Sequence, residues 1–203
     1  MTTKKILVNG VEVGEYTSTG DDIKDLRIAS AIVEKLGYKS HSTPGRAIFN
    51  NAVQFATAAS YIYKKDLVAS PRNMAAAVAF LVNAAFAIEL YLKALLVQHG
   101  VTPGRVHALV DLFDALPKAA RDAVSRAIPA AAAALGLGAD RDFRADVAAL
   151  NDVFVDWRYC YEHEEIGPVY VPPTLLVAGV LHEAFRDVDT KAGASEESEA
   201  VSS

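Results

Sequence analysis

The chain has 203 residues, a formal net charge of −5 and one cysteine, and 52% of its residues are hydrophobic. This apolar content can form a sizeable core, so a largely disordered chain is excluded, and the length corresponds to one domain with a small addition. The single cysteine excludes an intrachain disulfide framework and a multi-cysteine zinc site, and the acidic balance gives no sign of a strongly basic nucleic-acid-binding protein.

The N-terminal segment predicts a β-hairpin followed by one helix. Two short apolar runs flank Asn9-Gly10, a pair that suits a two-residue turn because both of its positions need a positive φ. Asp21 can cap a helix whose apolar positions repeat with a 3.6-residue period up to Leu36. A polar stretch follows this helix, and we therefore predict that residues 1–45 form a small appendage of hairpin and helix.

The most apolar segment, residues 75–97, is long enough to cross a membrane. It carries Asn83, Glu89 and Lys93, and the last two have the i,i+4 spacing of a helical ion pair. A charge at the centre of a bilayer costs about 2.5–3.5 kcal/mol on insertion scales, so we interpret the segment as a buried core helix and expect no membrane association. The first residues lack the apolar core of a signal peptide, and we expect a cytoplasmic protein.

The rest of the chain predicts helices with short breaks. The predicted helices of this part cover, in chain order, residues 47–65, 70–100, 106–116, 118–135 with an interruption at Pro129, 141–163 and 174–188. The predicted fold class is all-α, a helical bundle over residues 46–188 with the N-terminal hairpin and helix attached. Residues 189–203 are rich in Ser, Ala and Glu, and we expect a disordered acidic tail there.

Residues 154–163 carry the candidate chemistry. They read Phe-Val-Asp-Trp-Arg-Tyr-Cys-Tyr-Glu-His, which places Arg158 and His163 in an Arg-x4-His pattern at the end of a predicted core helix. An upstream helix contains Glu-Leu-Tyr-Leu-Lys from Glu89, and a Val-His-Ala-Leu-Val-Asp-Leu segment containing His107 follows it. In this order the three segments resemble the HEPN superfamily, a group of small helical bundles.

The resemblance covers about residues 47–188 and implies a homodimer that cleaves RNA without a metal or other cofactor. Arg158 would hold the scissile phosphate, since a guanidinium is always charged and forked. His163 would act as general acid and base, because imidazole titrates near neutral pH. The RNA 2′-hydroxyl would be the nucleophile and would leave a 2′,3′-cyclic phosphate. HEPN proteins occur as toxins, in defence systems and beside minimal nucleotidyltransferases, so the implied protein partner is an antitoxin or a nucleotidyltransferase.

Further residues are expected around this site. On a regular helix Asn151, Arg158 and Glu162 share one side, and Tyr159 leaves the apolar stripe, where it can stack on a base. We therefore predict substrate-binding roles for Asn151, Tyr159 and Glu162. Their predicted ligand is RNA or a nucleotide.

Two carboxylates are predicted to support the site. Asp156 shares the side of the helix that carries His163. Glu89 lies on a neighbouring helix of the bundle and is the expected counter-ion of Arg158. We predict a direct contact between Arg158 and Glu89.

Three interpretations of Arg158 and His163 stay open. The first is the ribonuclease, and the second is a non-catalytic HEPN-type module that binds RNA, a nucleotide or a protein with the same surface. The third is a structural module whose hairpin pairs with another chain. Five residues along a regular helix turn the side chain by about 500°, so Arg158 and His163 point about 140° apart unless the helix frays or the partner subunit supplies one of them. The remaining histidines show no zinc-binding spacing, and we expect no metal site.

Overall fold

The computed structural model describes residues 2–8, 11–37, 43–138, 140–151 and 171–201, which belong to two compact units, residues 1–42 and 43–203. The first unit contains strands β1 (Thr3–Val8) and β2 (Val11–Thr17), which pair antiparallel with Val8 opposite Val11. Helix α1 (Asp22–Lys35) follows the hairpin. The predicted hairpin and helix are confirmed, and the predicted turn residues Asn9 and Gly10 lie outside the described residues.

A buried carboxylate on α1 joins the helix to the hairpin of this unit. Asp21 caps the helix by accepting from two backbone N–H groups, and Asp25, one turn further on, is 2% exposed. Asp25 accepts hydrogen bonds from the Ser18 hydroxyl, from the backbone N–H and hydroxyl of Thr19, and from the ammonium of Lys4 on β1. These bonds, the one from Ser18 foremost, hold the pKa of Asp25 well below its usual range.

The second unit is a helical bundle, which confirms the predicted all-α fold class. Its described helices are α2 (Pro44–Ile62), α3 (Ala77–Gln98), α4 (Leu109–Asp114), α5 (Lys118–Ala134), α6 (Phe143–Ala148) and α7 (Val171–Val201). A π-helical turn, Tyr63–Val68, extends α2, and a 3-10 turn, Met74–Ala76, leads into α3. This unit begins at Thr43, which caps α2 by accepting from the backbone N–H of Arg46, so residues 43–45 belong to the bundle.

Helix α3 is the centre of the core. It packs against α2, α7 and α4, and Phe80, Ile88, Leu92 and Leu95 are fully buried on it. Within the described part of the chain, Met74–Gln98 is the one helix long and apolar enough to cross a membrane, and more than half of its most apolar stretch is buried in the protein. This burial agrees with the interpretation of the segment as a core helix.

Two helices of the bundle begin or end elsewhere than predicted because of local contacts. Helix α3 begins at Ala77 rather than near residue 70, since the backbone N–H and the side chain of Asn73 both donate to Asp66 and hold the preceding residues in a turn. Helix α5 continues through Pro129 without the predicted interruption. Buried residues on both sides of this proline belong to the same core, and α5 packs along α7, so tertiary packing outweighs the missing N–H.

The last two described helices also differ from the prediction. Helix α6 ends at Ala148, whereas one helix was predicted from residue 141 to 163; Leu150 and Asn151 close it with 3-10 bonds to residues three positions back. Helix α7 continues to Val201, beyond the predicted end near Val188. Ala, Glu and Lys have high helix propensity, and Asp189, placed in the predicted disordered tail, forms an ion pair with Arg46 on α2.

Candidate functional site

Glu89 is a buried charged residue in the middle of α3. Its side chain is 5% exposed, and two basic side chains bind its carboxylate. Lys93, one turn along the same helix, donates from Nζ to Oε1 over 2.7 Å, and His107 Nδ1 lies 3.0 Å from the same oxygen. A carboxylate without partners in the core would be strongly destabilising, and these two contacts offset the cost of burying Glu89.

His107 reaches Glu89 from the segment that joins α3 to α4. This segment turns at Gly100 and Gly104, both with φ values, 75° and 60°, that favour glycine, and it returns His107 to the side of α3. Because a carboxylate only accepts hydrogen bonds, Glu89 keeps the proton of the neutral imidazole on Nδ1. The His107 side chain is 73% exposed, which leaves Nε2 able to meet a ligand.

Sequence reasoning missed His107 as a site residue. Motifs based on spacing require a second histidine or a carboxylate within one helical turn. They do not detect His107, because its partner Glu89 is 18 residues away on another element. The one signal was its position directly after the Glu89–Lys93 helix, in the segment that carries the family resemblance.

Asn151 lies beside the same connection. It follows α6, and its Oδ1 accepts a hydrogen bond of 3.2 Å from the backbone N–H of Val110 in the first turn of α4. Val110 is three residues after His107 in the chain, so Asn151 contacts the helix that follows His107. The predicted substrate-binding role of Asn151 stays a prediction, with its Oδ1 already holding α6 against α4.

A cleft of about 530 Å³ opens among α2, α3 and α7. Tyr91 and His182 line it and are hydrogen-bonded, with 3.1 Å between Oη and Nδ1. Burial raises the pKa of Tyr91 to about 12 and lowers the pKa of His182 below its usual value, so both are neutral at pH 7. A second cleft, of about 520 Å³, lies between α5 and α7 and shares Leu175, Gly179 and His182 with the first.

The comparison with protein families decides the identity of the bundle. A family model described as HEPN domain matches residues 51–170, which is more than half of the chain. The chain belongs to the HEPN family. This membership confirms the resemblance inferred from the three sequence segments, and no curated protein and no solved structure matches the chain. The HEPN match includes Glu89, His107 and Asn151 and ends where α7 begins.

Most of the predicted HEPN site lies outside the described residues. These predicted residues are Asp156, Arg158, Tyr159, Glu162 and His163, all within the matched range. Their assigned roles stay predictions, and so does the contact between Arg158 and Glu89. The structure gives Glu89 two basic partners, Lys93 and His107, in addition to any that residues 152–170 supply.

Within the described ranges of this HEPN protein, no group of three or more His, Cys, Asp and Glu residues is placed to hold a metal ion. The Glu89–His107 pair offers two ligand types, but the ammonium of Lys93 is bound to the same carboxylate oxygen. A cation there would meet the positive charge of Lys93 directly, so the pair suits proton transfer better than metal binding.

Proposed function

We propose that this HEPN protein is a metal-independent endoribonuclease that acts through Arg158 and His163 at the interface of a homodimer. The observation that carries the proposal is the reach of the family match, which extends to residue 170 and so includes the Arg-x4-His pattern. On one regular helix Arg158 and His163 point about 140° apart. At a dimer interface they need not converge within one helix, because one subunit supplies the arginine and the other supplies the histidine.

The chemistry requires a cation at the phosphate and proton transfer at the attacking and leaving oxygens. The Arg158 guanidinium binds the non-bridging oxygens of the scissile phosphate and stabilises the charge that develops on them. The 2′-hydroxyl attacks the phosphorus, the bond to the 5′-oxygen breaks, and His163 transfers protons. The products are a 2′,3′-cyclic phosphate and a 5′-hydroxyl, and no redox change occurs.

The charge of the chain limits which RNA we expect it to bind. With a net charge of −5 it has no general attraction for a long phosphate backbone. We therefore propose a short single-stranded stretch held in the dimer groove, with Tyr159 stacking on a base and Asn151 and Glu162 contacting the nucleotide.

Incubation of the purified protein with total RNA in EDTA tests the proposal. We expect cleavage products that end in a 2′,3′-cyclic phosphate, and a rate that falls by about 100-fold or more in Arg158→Ala and in His163→Ala. Arg121→Ala, which removes an exposed arginine on α5, is the matched control and should keep the full rate. Equal cleavage by Arg158→Ala and Arg121→Ala would contradict the proposal, as would a monomer in light scattering.

A second candidate function is a non-catalytic HEPN module that binds RNA, a nucleotide or a protein such as an antitoxin or nucleotidyltransferase. Tyr159 favours it, because active members usually carry a small polar residue directly after the arginine. In that case the same RNA incubation yields no product. RNA binding, measured by filter retention, is then lost in Arg158→Ala and retained in Arg121→Ala.

A further inference from the structure

We propose that His107 is a second acid–base group of this chain, oriented by Glu89, and that it takes the proton from the attacking 2′-hydroxyl. The inference rests on the proposed ribonuclease function and assigns a role that the Arg-x4-His pattern does not contain. The site consists of three described residues, Glu89, Lys93 and His107.

The reaction itself calls for a second group. In an in-line displacement the attacking 2′-oxygen and the leaving 5′-oxygen lie on opposite sides of the phosphorus. A general base must be within about 2.6–3.2 Å of the first oxygen, and a general acid must be equally close to the second. One imidazole cannot contact both oxygens in one transition state, so a site with one His163, its arginine coming from the other subunit, leaves one of the two proton transfers unassigned.

The Glu89–His107 pair has the geometry of an oriented base. Glu89 Oε1 lies 3.0 Å from Nδ1 of His107, fixes the ring orientation and the tautomer, and stabilises the imidazolium that forms when Nε2 accepts a proton. Lys93, 15% exposed, binds the same oxygen over 2.7 Å and gives the buried carboxylate a partner of opposite charge. Glu89 and Lys93 are thus positioning residues, and the exposed His107 is the group that meets substrate.

Asn151 contacts α4, the helix that follows His107 in the chain. Its Oδ1 accepts a hydrogen bond from the backbone N–H of Val110, three residues after His107 in the chain. Asn151 is also the last described residue before the range that contains Arg158.

The proton and bond changes balance as follows. Nε2 of neutral His107 takes the 2′-hydroxyl proton while the 2′-oxygen bonds to phosphorus. The bond from phosphorus to the 5′-oxygen breaks, and that oxygen takes a proton from protonated His163. The products are the 2′,3′-cyclic phosphate and the 5′-hydroxyl; His107 then releases its proton to solvent and His163 regains one.

A substrate with a sulfur atom in place of the bridging 5′-oxygen separates the two histidines. A thiolate leaves without being protonated, so loss of the acid no longer slows cleavage, whereas loss of the base still does. We expect His107→Ala and His163→Ala each to lower kcat on ordinary RNA by about 10²–10⁴-fold. On the sulfur substrate His163→Ala should approach the wild-type rate, and His107→Ala should stay slow.

Two further variants of the full chain complete the experiment. Glu89→Gln should lower kcat by about tenfold or more with little change in KM, since it alters the orientation of the base rather than binding. His99→Ala is the matched histidine control and should keep the wild-type kcat. His99 directly follows α3, and its Nε2 has no hydrogen-bond partner among the described residues, so its removal breaks no bond of that atom. Thermal unfolding of each variant verifies the fold.

The outcomes distinguish the inference from the function on which it rests. Wild-type kcat in His107→Ala, with Arg158→Ala and His163→Ala inactive, overturns the role of His107 and leaves the ribonuclease intact. Recovery of His107→Ala on the sulfur substrate assigns it proton donation and overturns its role as base. No cleavage by the wild-type chain, or full cleavage by Arg158→Ala, overturns the ribonuclease and the inference together.

Discussion

Tyr91 on α3 and His182 on α7 are joined by a hydrogen bond of 3.1 Å between Oη and Nδ1, and their rings meet edge to face at 84°. Phe49 on α2 lies against both rings, with centroid distances of 5.5 Å to Tyr91 and 5.1 Å to His182. Aromatic contacts of this kind stabilise beyond the area that they bury. The three side chains therefore fix α2, α3 and α7 relative to one another.

Tyr91→Phe is expected to destabilise the bundle by about 1 kcal/mol, because it removes the bond to His182 and retains the ring. Urea denaturation followed by far-UV circular dichroism measures the change. Tyr61→Phe is the matched control, since Tyr61 is 64% exposed, and its midpoint should not move. If both variants unfold at the same urea concentration as the wild type, the bond contributes nothing to stability.

The bundle should lose stability as the pH falls below about 6.5, because of His182. Burial lowers the pKa of folded His182 below its usual 6.5; Arg186 acts in the same direction, and Glu183 opposes it. Below pH 6.5 the unfolded chain binds a proton at His182 more readily than the folded protein does. The free energy of unfolding therefore decreases as the pH falls from 6.5 toward the pKa of the folded state. His182→Gln, which does not titrate, should show a flatter dependence of Tm on pH, and an unchanged slope would contradict this assignment.

Two glycines of the bundle should respond oppositely to alanine. At Gly45 on α2 a Cβ would lie 2.6 Å from Oε1 and 3.1 Å from the backbone N of Gln98, so Gly45→Ala should destabilise by about 1–3 kcal/mol. At Gly179 on α7 no heavy atom lies within 4 Å of an added Cβ. There the gain in helix propensity should stabilise by about 0.5–1 kcal/mol. Urea midpoints check both signs, and a shift in the same direction for both variants would refute the packing argument.

Removal of the ammonium that binds Glu89 should be more harmful than removal of both charges. Among the described residues, Lys93→Met leaves His107 as the one basic partner of the buried carboxylate, and it should destabilise by about 3 kcal/mol, near the lower end for removing one partner of a buried pair. The double variant Lys93→Met/Glu89→Gln should recover part of this loss because no buried charge remains. Chemical denaturation of the two variants provides the comparison, and a double variant less stable than Lys93→Met would contradict it.

Local patterns predicted the elements of the fold better than their ends. The cap at Asp21 and the apolar periodicity placed α1, and the apolar composition of residues 75–97 identified α3 as the core helix. The continuation of α5 through Pro129 could not be predicted from local sequence patterns. It depends on buried neighbours packed against α7, and local propensity does not contain that contact.

For the site, the sequence by itself determined the family, through three ordered segments, and singled out Glu89 and Asn151 as residues of interest. The i,i+4 spacing also predicted the pairing of Glu89 with Lys93. Only the tertiary structure decided that Glu89 binds His107 as well, that Asn151 holds α6 against α4, and that Tyr91 meets His182. The physical reason is the range of the interactions. Periodicity and capping act within a few residues, whereas a buried carboxylate takes its partners from whichever elements the packed core brings within about 3 Å.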